Sequence, residues 1–306
     1  YIKDLIAQSR IGTAIAIYDS IKALLKFRGN VRFAQVNTTW LYQYEGWATE
    51  KGLSKTTIGM YTRALRTLFN EAAARGLVDK EKFYPFGKRK YRIPHTRRRK
   101  KALNLEDVEK IYFYTPANEY ENRAKDYWLF MYLCNGINPK DVALLKYENI
   151  EDGYLIFERA KTILTARADP KTITVFITED IQGIISRLGN TDASPGNYIF
   201  PILRDGMNPL QVHEAIKLFI AFVNNWMKEI GDSLKLPKKA TTVISRHTFA
   251  TVMKRAGAST EYIKEALGHH ELKTTDIYMD RFEKEVKKEF SSKLTSFKSK
   301  PVSAAI

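Results

Sequence analysis

The sequence predicts a mainly α-helical protein with a small β-sheet, in two domains. Three observations carry that prediction. Apolar residues recur at helical spacing through the first third and again through most of the remainder. One short region, 154–178, turns β-rich, and between residues 88 and 101 the composition shifts to Lys and Arg. At 306 residues the chain suffices for one large domain or two ordinary ones. A hydrophobic fraction of 44% with 16 glycines and 10 prolines is that of a folded, soluble protein. No apolar run is long enough to cross a bilayer and no signal peptide opens the chain, so no membrane partner is expected. Position 1 is Tyr rather than Met, which leaves room for an upstream segment.

The elements follow in order. Residues 11–27 place Ile15, Ile17, Ile21, Leu24 and Leu25 at roughly helical spacing and stop at Gly29. A second helix is predicted from Thr38 to Gly52. A third runs from an N-cap at Ser54 through Ile58, Tyr61, Leu65, Leu68 and Phe69 to Gly76. Its outward face offers Lys55, Arg63, Arg66 and Arg75, either to a DNA groove or to solvent. The basic segment 88–101 holds nine Lys or Arg, among them Lys88, Arg89, Lys90, Arg92, Arg97, Arg98, Arg99 and Lys100. Pro94 and like-charge repulsion argue against a helix there, so it reads as a linker. As a strap along a phosphate backbone its composition follows from its task; a solvated loop and a nuclear-localisation signal are the other readings. Beyond it, Asn104 caps a helix carrying Leu105, Val108 and Ile111. Residues 121–134 form another, stopped near Gly136, Pro139 opens a third, and strands are predicted over 154–160 and 172–178. Long periodic stretches at 208–230 and 245–256 complete the pattern.

Charge narrows the partner. Fifty Lys and Arg against 34 Asp and Glu leave a net +16, and the excess is clustered. Such a chain favours a polyanion, because neutralising phosphates releases condensed counterions. A nucleic acid is the expected partner, double-stranded DNA if the third helix lies in a groove; a basic, merely soluble protein is the alternative. The single cysteine, Cys134, rules out an internal disulfide; its apolar neighbours make it a core residue rather than a nucleophile, and a reducing cytoplasm fits.

The chemistry concentrates near the C-terminus. The chain reads Ser245-Arg246-His247-Thr248, then Leu267-Gly268-His269-His270, then Thr274-Thr275-Asp276-Ile277-Tyr278. There are 23 residues from Arg246 to His269 and nine from His269 to Tyr278. Each residue alone has an ordinary explanation, Tyr278 being one of 17 tyrosines. Their joint order and spacing resemble the catalytic domain of the tyrosine recombinases, the phage-integrase family. The resemblance covers the whole chain and implies a helical, SAM-like core-binding domain over 1–87 and a linker over 88–101. A mixed α/β catalytic domain over 102–306 would end in a helical tail, 281–306.

It also implies roles. A phosphodiester needs positioning and charge stabilisation, which a planar guanidinium such as Arg246 supplies to two phosphate oxygens. His269 would donate to the same phosphate and Tyr278 would attack, leaving a 3′-phosphotyrosine and a free 5′-hydroxyl. The link conserves bond energy, so religation needs no ATP, and the resemblance implies no metal and no other cofactor. The general acid would be Lys161, followed by Thr162 after the strand 154–160; an ordinary turn lysine is the alternative. Asp141 matches an acidic residue that buttresses the site. His247 reads as a structural or supporting residue, and His270 as a solvated neighbour of His269.

Two positions depart from the family pattern. Asn138 stands where the first catalytic arginine is expected, and Val243 where a His or Lys usually precedes Arg246 by three. Arg159 is the candidate replacement cation: it lies two residues before Lys161, and strand alternation would put both on one face. A substituted first arginine resembles the integrases of Bacteroides-type conjugative transposons and related mobile elements. The tail places Phe282, Val286, Phe290 and Leu294 at four-residue spacing, a helix that packs either on its own domain or on a neighbouring protomer. The family implies a homotetramer on two DNA sites, a Holliday-junction intermediate, accessory DNA-bending proteins and a setting on the bacterial nucleoid. Two other classes remain open from sequence: a catalytically impaired DNA-binding protein, motivated by Asn138 and Val243, and a type IB topoisomerase-like nicking-closing enzyme.

Overall fold

The computed structural model describes residues 1–95, 102–160 and 172–269. Contacts divide the chain into two compact units, Tyr1–Arg98 with Asn208–His213, and Arg99–Met207 with Glu214–Ile306.

The first unit holds helices α1 (Ile2–Ala7), α2 (Ile11–Arg28), α3 (Thr38–Glu50), α4 (Lys55–Ala74) and the single turn α5 (Lys80–Phe83). Their limits follow from local chemistry. Asn37 Oδ1 accepts from Trp40 N at 2.9 Å, Ser54 Oγ accepts from Thr57 N at 3.1 Å, and α2 ends on Gly29. The core is aromatic: Phe27, Trp40, Tyr44 and Trp47 cluster, with Trp40 and Tyr44 stacked 5.8 Å apart, and Phe69 meets Phe33 edge-on at 4.8 Å. Arg75, offered by the sequence to a groove or to solvent, donates to Asp4 Oδ2 at 2.5 Å and to Glu71 Oε1 at 2.8 Å, tying α1 to the end of α4. The pairing holds the Asp4 carboxyl below its usual range. Residues 88–95, the start of the predicted linker, are built into this unit, with Tyr91 only 1% exposed.

The second unit opens with α6 (Leu105–Tyr112), started by a capping box between Asn104 and Asp107, followed by α7 (Glu119–Leu133) and α8 (Pro139–Leu144). A three-stranded antiparallel sheet comes next, ordered β1 (Ile150–Glu151), β2 (Tyr154–Glu158) and β3 (Thr172–Phe176), with Leu155 opposite Val175 and Phe157 opposite Ile173. These four apolar side chains point inward, as a period of two requires, and join the core beneath. Helices α9 (Glu179–Leu188), α10 (Pro209–Ser233), α11 (Thr242–Arg255) and α12 (Thr260–Ala266) complete the described fold. The fold is therefore mainly helical with one small sheet, as the sequence predicts. Cys134 is buried in this core, and burial pushes its thiol pKa far up, as suits a packing residue. No helix among the described residues is long and apolar enough to cross a membrane.

Candidate active site

Helix α11 is fixed first. Trp128 Nε1 on α7 donates to Thr241 O at 3.1 Å, Asn224 Oδ1 on α10 accepts from Thr242 N at 2.8 Å, and Thr248 Oγ1 accepts from Leu103 N at 3.1 Å. These bonds, with the packing of α11 on α7, set the rotation that turns Arg246 inward to 3% exposure.

A buried guanidinium is tolerated only where its N–H groups find acceptors. Arg246 Nη1 donates to Gly136 O at 2.7 Å, and Nη2 donates to Leu267 O at 2.5 Å. Nη2 also meets His269 Nε2 at 3.1 Å. An arginine can only donate, so Nε2 accepts in this contact and the ring proton sits on Nδ1. The side chain thereby joins three places that are far apart in sequence.

Two glycines make this approach possible. Gly136 has φ +64°, and a Cβ there would stand 2.8 Å from Arg246 Cα, so any other residue would push the 134–138 turn off α11. Gly268 ends α12 with φ +60°, and its Cβ would stand 2.6 Å from Ile173 Cδ1 and 2.7 Å from Arg159 Cδ. Sequence reasoning placed Gly136 only as a helix stop. The missing signal is the partner: nothing in a linear sequence says that α11 will press on that turn.

Arg159 arrives at the same turn from the other side. It is 7% exposed, and its Nη1 donates to Gly268 O at 3.1 Å. Two guanidiniums thus hang on consecutive carbonyls, Leu267 and Gly268, one from α11 and one from the end of the sheet. Arg159 follows the end of β2 at Glu158 but keeps its inward alternation, buried like Leu155 and Phe157. Its backbone is held by Asp141, whose buried carboxylate accepts from Ala160 N at 2.9 Å and from Asn138 Nδ2 at 3.2 Å. Asn138, standing where a cation was expected, therefore supports Asp141 as the N-cap residue of α8.

The remaining predicted residues divide as follows. His247 is half-buried beside Arg246, and Val243 is 54% exposed one turn earlier on α11, an apolar side chain with nothing to donate. Lys55, Arg63, Arg66, Lys88, Arg89, Lys90 and Arg92 are exposed on the first unit. Lys161, Arg97, Arg98, Arg99, Lys100, His270, Tyr278 and the tail lie outside the described residues.

Comparison with known proteins accords with this geometry. A family model for the phage integrase SAM-like domain matches residues 1–93, and one for the phage integrase family matches residues 101–285. The chain is similar to tyrosine recombinase XerA of Pyrococcus furiosus, at 29% identity over 238 residues, 74% of this chain and 71% of that one. Its fold resembles the Tn1549 transposon integrase solved in complex with a circular intermediate DNA, at 16% identity and a TM-score of 0.64, covering 95% of this chain and 97% of the other. It also resembles a lambda integrase tetramer bound to a Holliday junction, at 15% identity and a TM-score of 0.58, covering 90% and 74%. The chain belongs to the phage integrase family, the tyrosine recombinases, and is a site-specific enzyme of DNA breakage and rejoining.

Proposed function

We propose that the chain exchanges strands at the DNA ends of a mobile element, with Tyr278 as nucleophile and Arg246, Arg159, His269 and Lys161 acting on the scissile phosphate. The observation that carries the reading is the convergence of Arg246 and Arg159 on the carbonyls of Leu267 and Gly268, beside the His269 ring. Two fixed cations preorganise a site for the charge that grows on a phosphorane transition state. Arg159 supplies the positive charge that Asn138 does not. An arriving phosphate competes with His269 Nε2 for an Arg246 N–H, so binding exchanges that internal contact for contacts to the substrate. His269 then turns a ring N–H to a phosphate oxygen.

The Tyr278 oxygen attacks phosphorus and the bond to the 5′-oxygen breaks, with Lys161 giving that oxygen its proton. The reverse step on a partner strand rejoins the DNA. Asp141 holds the chain between Arg159 and Lys161, and His247 supports Arg246 from the same helix. Lys55, Arg63, Arg66 and the basic residues of 88–100 contact duplex DNA. The lambda integrase relative is a tetramer on a Holliday junction; by analogy four protomers on two sites, linked through the 281–306 tail and aided by DNA-bending proteins, form the working assembly.

The test uses a nicked suicide duplex carrying the element's own end. A protein–DNA adduct that survives denaturing gels in the wild type and vanishes in Tyr278→Phe is expected. An Arg159→Ala variant that forms the adduct at the wild-type rate would remove Arg159 from the site.

A further inference from the structure

Residues 84–94 fold back over the first unit. Phe86 and Tyr91 form a parallel β-bridge, Tyr91 N donates to Pro85 O at 2.9 Å, and Lys90 Nζ donates to Tyr84 O at 2.6 Å. The buried Tyr91 ring meets Tyr42 and Phe86 edge-on at 5.1 and 6.2 Å, and its hydroxyl donates to Glu45 Oε2 on α3 at 2.8 Å. Farther on, the chain crosses α4 at Gly59, where a Cβ would stand 2.5 Å from Pro94 O and 3.6 Å from Ile93 Cγ2. A stretch dense in like charges, which would otherwise stay extended and solvated, is thereby pinned at two points.

The pinned stretch and α4 enclose a cleft of about 350 Å³, walled by Arg66, Lys88 and Arg92 with Phe86, Tyr91 and Ile93 between them. No carboxylate lines it. Among the described residues none of the three cations is in an ion pair, whereas Arg75 at the end of α4 is engaged by Asp4 and Glu71. Arg92 Nη2 donates to Lys88 O at 3.1 Å, which fixes the second wall. Three cations held around an acid-free hollow are complementary to a small, strongly charged anion.

We propose that this cleft grips one backbone phosphate of duplex DNA, and that Tyr91, Glu45 and Gly59 are the positioning residues that hold its second wall against α4. The proposal rests on the reading that the chain acts on DNA, and it makes the first part of the basic segment a fixed limb of the first unit.

The test measures binding of the full chain to a short duplex of random sequence across a salt series. Loss of one neutralised phosphate makes the slope of log affinity against log salt shallower by about 0.9. That shift is expected for the Arg66→Ala/Arg92→Ala pair. It is also expected for Gly59→Ala, which keeps every cation and raises the helix propensity of α4, so circular dichroism should be unchanged. Tyr91→Phe, losing only the bond to Glu45, should shift the slope in the same direction by less. Trypsin should cut the 88–92 stretch faster in Gly59→Ala than in wild type. An unchanged slope in the arginine pair, with wild type binding normally, would overturn the grip. A shift in the pair but not in Gly59→Ala would overturn the positioning role. A wild type whose affinity ignores salt would overturn the DNA reading and the grip together.

Discussion

At the scale of single residues, the site depends on close backbone approaches as much as on charged side chains. Gly268→Ala tests this directly. Its Cβ would overlap both Ile173 Cδ1 and Arg159 Cδ at a position with φ +60°. The expected cost is about 2–5 kcal/mol, from about 1–2 for the left-handed backbone and about 1–3 for overpacking. Adduct formation should fall further than the stability loss explains, because displacing the turn moves the carbonyls that hold both arginines. Urea unfolding alongside suicide-substrate kinetics checks both expectations. That Arg246 and His269 come together was to be expected from the resemblance of their spacing to the family pattern. The carbonyls of Gly136 and Leu267 were not, since every residue has a carbonyl and only folding selects which two meet a guanidinium.

At the scale of elements, polar caps and glycine stops marked the helices well. Asn37, Ser54 and Asn104 start helices where their side chains accept backbone N–H groups, and Gly29 ends one. The two-residue strand β1 escaped notice because two residues cannot display a period. The end of β2 was read two residues too long. Alternation nonetheless carries one residue past the strand, since Arg159 is buried like Leu155 and Phe157, and its backbone there depends on the Asp141 carboxylate through Ala160 N. Asp141→Asn should expose that dependence. An amide can still accept from Ala160 N, but it turns an N–H₂ toward Asn138 Nδ2 when it does. We expect a loss of about 1.5–3 kcal/mol, the usual value of a hydrogen bond to a charged group, with cleavage reduced more than DNA affinity. Gel-shift titration beside adduct yield separates the two.

At the scale of the whole molecule, the net charge of +16 is legible at once and favours a polyanionic partner, but says nothing of the arrangement of cations. Arg75 is spent on holding α1 to α4, while Arg66 and Arg92 are left for a ligand. The first unit should also show its own response to alkali. Burial, with a smaller contribution from Tyr61, pushes the Tyr44 pKa up to about 12. A pKa raised above its unfolded value means stability held below pH ~10 and lost as pH climbs through about 12. The Tyr44 hydroxyl is buried without a hydrogen-bond partner, so Tyr44→Phe removes a desolvation penalty of about 1–3 kcal/mol. The variant should unfold at higher urea concentration and keep its stability farther into alkali, as tryptophan fluorescence of Trp40 and Trp47 would report.

The anchoring of two arginines on main-chain oxygens bears on how such a site ages. A side-chain partner can be erased by one nucleotide change; a carbonyl cannot. The neighbourhood of Leu267 can therefore drift in composition while the cation stays seated, provided codons 136 and 268 continue to specify glycine. A saturation library over residues 134–137 and 265–268 should return active clones that differ at most positions and agree at those two.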